Sequence, residues 1–115
     1  MALQQDLLKI ERTLWTGGPE AYRAATDDPC LVVFSEMAGL MSRDDIAGTA
    51  EAGRWRDVAL EPKGFVQMGD DAAVVSYECA ATRKDGEPHR ALVSSGYVRR
   101  HEGWKLAFHQ QTPLR

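Results

Sequence analysis

Residues 72–112, AAVVSYECAATRKDGEPHRALVSSGYVRRHEGWKLAFHQQT, hold three long β-prone runs separated by two short polar connections. The runs are 72–82, 90–100 and 104–112, rich in valine, aromatic and small residues. Lys84-Asp85-Gly86 and His101-Glu102-Gly103 supply turn chemistry between them. Connections this short join antiparallel neighbours, since a parallel return needs a crossover of about a dozen residues or more. The C-terminal half therefore reads as an antiparallel meander.

Strand alternation assigns faces to its side chains. With His101, Glu102 and Gly103 as the loop, Arg100 lies opposite Trp104, Val98 opposite Leu106 and Gly96 opposite Phe108. The other face pairs Arg99 with Lys105, Tyr97 with Ala107, Ser95 with His109 and Val93 with Gln111. Leu92, Val98, Trp104, Leu106 and Phe108 then share one apolar face, while Ser95, Tyr97, His109 and Gln111 share a mixed one. A single sheet layer has only one face covered by its own helices. The mixed face suits a pocket with a few polar groups, and the apolar face implies a partner, most economically a second copy.

Upstream, Leu3, Leu7, Ile10 and Leu14 recur at helical spacing, with Leu8 and Trp15 widening the stripe. Gly17 and Gly18 end this helix, and Pro19 opens a second, short one carrying Tyr22. Asp27-Asp28-Pro29 breaks it before a strand over 30–34, which turns at Ala38-Gly39 into Leu40 and Met41. Ser42 with Asp45 three residues on resembles a capping box and starts a third helix, through Ile46 to about Ala52. The run from Trp55 is interrupted by Pro62 and Gly64 and resumes at Phe65, which predicts a bulged or bent strand. The expected architecture is α+β: a curved antiparallel sheet wrapped around N-terminal helices, one domain over residues 1–115, leaving a central pocket.

Composition narrows the functions. A net charge of -3 and a pI near 5.6 give no general attraction for phosphate backbones or anionic lipid, so neither nucleic acid nor a membrane is an expected partner. No apolar run reaches the roughly 18 residues of a membrane helix, and no signal-peptide pattern opens the chain, which predicts a cytoplasmic protein. Cys30 and Cys79 stand apart inside strand patterns, and His89, His101 and His109 lack ligand spacing. Neither a disulfide nor a metal is expected, and no cofactor motif is present.

The stretches Gly69-Asp70-Asp71-Ala72-Ala73-Val74-Val75-Ser76-Tyr77 and Tyr97-Val98-Arg99-Arg100, continuing through Gly103-Trp104-Lys105-Leu106 to His109-Gln110-Gln111-Thr112-Pro113, resemble the nuclear-transport-factor-2-like superfamily, in its branch related to polyketide cyclases and domains of unknown function. The resemblance covers nearly the whole chain. It implies a cone with a pocket on its concave side and a homodimer through the convex side. In the kinase association domains of that superfamily arginines occupy the positions of Cys79, Ser95 and Gln111, so their anion-binding character does not carry over.

His109 is the candidate acid/base, because an enclosed histidine titrates near neutral pH. Trp55, Tyr77, Ser95, Tyr97 and Gln111 are the candidate ligand contacts beside it, with Trp55 at the pocket mouth. Asp44-Asp45 and Asp70-Asp71 read as a helix start and a turn, and Glu78 alternates away from Tyr77. Two classes of function remain. One is a dimeric small-molecule-binding or assembly module for an apolar or aromatic ligand. The other is an isomerase, dehydratase or cyclase using His109.

Overall fold

The apolar stripe of the first helix needs a covering surface, and the sheet supplies it. The computed structural model describes residues 2–114. Helix α1 (Ala2–Thr16) leads into α2 (Pro19–Ala25), then β1 (Thr26–Phe34), β2 (Met37–Met41), α3 (Arg43–Thr49), β3 (Trp55–Gln67), β4 (Ala72–Arg83), β5 (Pro88–Arg100) and β6 (Gly103–Pro113). The six strands form one open, curved sheet in the order β2-β1-β6-β5-β4-β3. Among the described residues no helix is long and apolar enough to cross a membrane.

Local chemistry sets several boundaries. The Ser42 hydroxyl accepts from the Asp45 backbone N–H at 3.1 Å, capping α3, which stops at Thr49, short of the expected Ala52. The β1–β2 turn falls at Ser35-Glu36, three residues before the expected Ala38-Gly39. Strand β3 is irregular between Arg56 and Ala59 and between Pro62 and Gly64, in keeping with its proline and glycine.

Two expectations need correction. The sheet is not wholly antiparallel: β3 to β6 form the meander, but β1 pairs β6 in parallel, Val32 against His109. The chain crosses through α3 to the far edge and meanders back, so β6 arrives beside β1 running the same way. The turn register also differs. Gly103 takes φ +120°, open to glycine but strained for other residues, and pairs directly with Arg100. That leaves a two-residue loop and puts Tyr97 opposite Leu106 and Arg99 opposite Trp104. An extra residue, Ala107, bulges between Leu106 and Phe108 and restores Gly96 opposite Phe108 and Ser95 opposite His109.

The bulge therefore turns Leu106 and Trp104 inward, where the sequence alone placed them on the outer face. Leu106 is 2% exposed and packs with Leu7, Leu14, Cys30, Val75 and Tyr97, and Trp104 packs against the same cluster. Burial of a leucine contributes about 1.5–3 kcal/mol. A second cluster around Trp15, Val58, Tyr77, Cys79 and Val93 continues the core towards β3.

The outer face keeps an apolar row. Following register from edge to edge, Val66, Val74, Gly96, Phe108, Leu31 and Leu40 lie side by side across all six strands. Leu40, Val66 and Leu31 are exposed, and α1, α2 and α3 lie on the opposite side. At the centre of the row a Cβ on Gly96 would come within 3.3 Å of the Phe108 Cβ, so glycine lets the Phe108 ring lie over β5.

Candidate functional site

Helix α1 contributes the residue that organises the interior. Leu7, Glu11, Leu14 and Trp15 lie on one stripe, and all four are buried, Glu11 completely. A buried carboxylate is costly unless donors replace its water. Three hydroxyls do so from the inner faces of β4 and β5. Tyr77 donates to Glu11 Oε1 at 2.5 Å, Ser95 donates to the same oxygen at 2.8 Å, and Tyr97 donates to Oε2. Trp15 Nε1–H in turn donates to the Tyr77 hydroxyl at 2.9 Å, which orients the phenol.

Ser95 links this cluster to β6, with its hydroxyl 2.8 Å from His109 Nδ1. His109 Nδ1 is 3.9 Å from Glu11 Oε1, and its Nε2 is 2.9 Å from the Gln111 amide nitrogen. The His109 side chain is 12% exposed. Burial lowers its pKa below the ordinary histidine value, opposed by the Glu11 charge. Burial foremost, then Glu11, pushes the Tyr77 and Tyr97 phenols well above their ordinary range, so both stay protonated as donors.

Beyond His109 a partly open cavity of about 60 Å³ lies between the sheet and helices α2 and α3. Its lining is mostly apolar, from Val32, Phe34, Met41, Ile46 and Leu106, with polar groups from His109 and Gln111 on β6, Tyr22 on α2 and Thr49 on α3. This volume is well below the roughly 300–1,000 Å³ of drug-sized sites. It admits a molecule of a few heavy atoms, and a larger one requires Phe34 and Met41 to move. Cys30 also lines the wall, its thiol raised by burial to about 11 and thus protonated.

Of the residues singled out from sequence, His109 and Gln111 line the cavity, whereas Tyr77, Ser95 and Tyr97 stand behind them around Glu11. Trp55 lies elsewhere. It packs edge-on to Trp15 at 5.3 Å and against His89 at 4.8 Å, with Arg83 over its ring, outside the lining of the His109 cavity. Glu11 was missed. Its signal was its position four residues after Leu7 and three before Leu14, inside a stripe sorted by apolar residues alone.

Enclosed His109 and half-buried His89 carry a pH dependence. His109 and His89 both hold depressed pKa values, against 6.5 for an ordinary histidine. As pH falls below about 6.5, the unfolded chain binds protons that the folded chain refuses, so stability is full above that pH and is lost on acidification. Urea midpoints are expected to drop between pH 7.5 and 5.5, and less so in His109→Gln. A flat profile across that window contradicts the burial of neutral imidazoles.

No protein-family model matches the chain, and no curated protein matches it. Solved structures do. An NTF2-like protein from Cytophaga hutchinsonii superposes with a TM-score of 0.71 at 15% identity, over 96% of this chain and 98% of that one. A ketosteroid isomerase-like protein from Erwinia carotovora atroseptica gives a TM-score of 0.65 at 20% identity, over 84% and 82%. The association domain of C. elegans CaMKII gives 0.70 at 16% identity, over 96% and 95%. The chain has the nuclear-transport-factor-2-like fold, in which the curved sheet and helices enclose the site described above.

Proposed function

We propose that this chain is a dimeric small-molecule-binding domain whose ligand sits in the cavity between α2, α3 and the β1–β6 pair, with His109 as its main polar contact. The observation that carries the reading is the cavity's lining: mostly apolar side chains, among them Val32, Ile46 and Leu106, with a few polar groups from His109, Gln111, Tyr22 and Thr49. Such a wall selects apolar ligands, and the few polar groups orient them. Among the described residues no lysine or arginine lines the cavity, and Glu11 Oε1 lies 3.9 Å from His109 Nδ1, which disfavours anionic ligands. The row from Val66 to Leu40 on the uncovered sheet face supports self-association through that face. The similarity to an association domain points the same way.

Thermal shift with phenol and indole tests the pocket, because a ligand bound only to the native state raises the midpoint by mass action. A saturable rise is expected in wild type, reduced to little or nothing in His109→Ala. Equal shifts in a natively stable His109→Ala exclude His109 as a contact.

A second reading has one observation in its favour. Glu11, bridged to His109 by Ser95, provides the second acid/base group that an isomerase, dehydratase or cyclase needs. Deuterium exchange beside the carbonyl of a small ketone, lost in His109→Ala, would select it.

A further inference from the structure

The hydrogen bonds along Glu11–Ser95–His109–Gln111 constrain where the imidazole proton lies. Ser95 has one hydroxyl proton and two neighbours, Glu11 Oε1 at 2.8 Å and His109 Nδ1 at 2.8 Å. Glu11, already the acceptor for Tyr77 and Tyr97, takes the Ser95 proton as well. The serine oxygen then faces Nδ1 with lone pairs only, and the short distance is satisfied only if Nδ1 carries a hydrogen. At the other end the Gln111 amide nitrogen, which cannot accept, sits 2.9 Å from Nε2 and must donate to it. An amide assignment alone would be reversible, but here the serine end fixes the same answer independently.

We propose that Ser95, held as a donor by buried Glu11, locks neutral His109 in the Nδ1–H tautomer, so that Nε2 presents an unprotonated acceptor at the cavity and the site takes ligands with an O–H or N–H donor in preference to carbonyl compounds. Ser95 and Glu11 are thus positioning residues that set specificity without lining the cavity. This inference rests on the pocket reading for its ligand half and on bond geometry alone for its tautomer half. A bound hydroxyl displaces the Gln111 amide from Nε2 and replaces its hydrogen bond. A ketone of the same size can only accept, so where it takes the place of the Gln111 amide it leaves the imidazole nitrogen unpaired. The small cavity calls for a small matched pair, propan-2-ol and acetone.

The tautomer half is read without ligand, from long-range ¹H–¹⁵N spectra of histidine-labelled protein at pH 7.5. Wild type is expected to show His109 with protonated Nδ1 and bare Nε2, the reverse of the tautomer that predominates in free neutral imidazole side chains. Ser95→Ala, which removes one hydroxyl and keeps the backbone pairing with His109, is expected to shift the population to Nε2–H. A protonated Nε2 in wild type, or an unchanged tautomer in folded Ser95→Ala, overturns the lock. The wild-type spectrum decides the matter even if the variant does not fold.

The ligand half is read by titrating the same sample with each compound and following the His109 resonances. Propan-2-ol is expected to bind at least about tenfold more tightly than acetone in wild type, with the difference shrinking in Ser95→Ala. Acetone binding as well as propan-2-ol overturns the donor preference. A correct tautomer with saturable binding of neither compound overturns the pocket reading instead, so the two failures are distinguishable.

Discussion

Glu11→Leu is expected to lose about 2–6 kcal/mol of stability, although it exchanges a buried carboxylate for an apolar side chain in an apolar stripe. Replacing a buried charge by a hydrophobe is often neutral when its partners are removed with it. Here the partners remain. Tyr77 and Tyr97 keep hydroxyls that donate to nothing, both in fully buried positions. Each orphaned hydroxyl costs about 1–3 kcal/mol, while Ser95 still reaches His109. Against a typical total of about 5–15 kcal/mol, the urea midpoint should fall by a large fraction. The triple variant Glu11→Leu, Tyr77→Phe, Tyr97→Phe should regain much of the loss, because the orphans are gone and only the Trp15 N–H lacks its acceptor. A Glu11→Leu midpoint equal to wild type means that the hydroxyls find other partners and the cluster is not organised by its carboxylate.

Phe108→Glu is expected to dissociate the proposed dimer while leaving the fold intact. Phe108 occupies the middle of the row that crosses all six strands on the face without helices. An isologous interface through this face uses that residue from both copies, so one substitution introduces two carboxylates into an apolar contact. Burial of unpartnered charge costs several kcal/mol, enough to raise a dimer Kd by about two orders of magnitude or more. Sedimentation should show a dimer for wild type at micromolar concentration and a monomer with native circular dichroism for Phe108→Glu. Leu106→Glu should behave differently and unfold, because Leu106 packs against Leu7, Leu14 and Tyr97 inside the same sheet. A monomeric wild type, or a Phe108→Glu dimer, removes the sheet face as the interface.

The contrast between those two leucine and phenylalanine positions marks where sequence reading reaches its limit. The alternation of β5 and β6 was legible, and Ser95 does lie opposite His109. It was legible through two compensating errors of register. The loop is one residue shorter than the three-residue turn, and the Ala107 bulge returns the missing residue. Between the loop and the bulge every side chain is inverted, which is why Trp104 and Leu106 face the core. Alternation carries no mark of a bulge, so this segment could be resolved only by packing. The parallel β1–β6 pair was equally hidden, because it joins strands distant in sequence and depends on the path through α3.

The α1 stripe, the Ser42 cap and the interruption of β3 followed from local chemistry that the sequence displays. Glu11 did not, although its spacing was available. Helical periodicity is usually read by sorting residues into apolar and polar, and an acid on the apolar stripe is discarded as noise. It becomes visible when the question is reversed, from which residues should be buried to which residues the helix geometry forces inside. Three hydroxyl-bearing residues at Tyr77, Ser95 and Tyr97 on the facing strands were the complementary sign.

The most direct test of the account is where a bound ligand's protons lie. In a sample with labelled methyl groups and saturating phenol, intermolecular nuclear Overhauser effects should connect the ligand to methyls of Val32, Ile46, Leu106 and Met41, which line the cavity together with His109. Effects confined to Leu31, Leu40 or Leu92 on the outer sheet face, with none to Ile46 or Leu106, contradict the claim that the enclosed cavity is the ligand site.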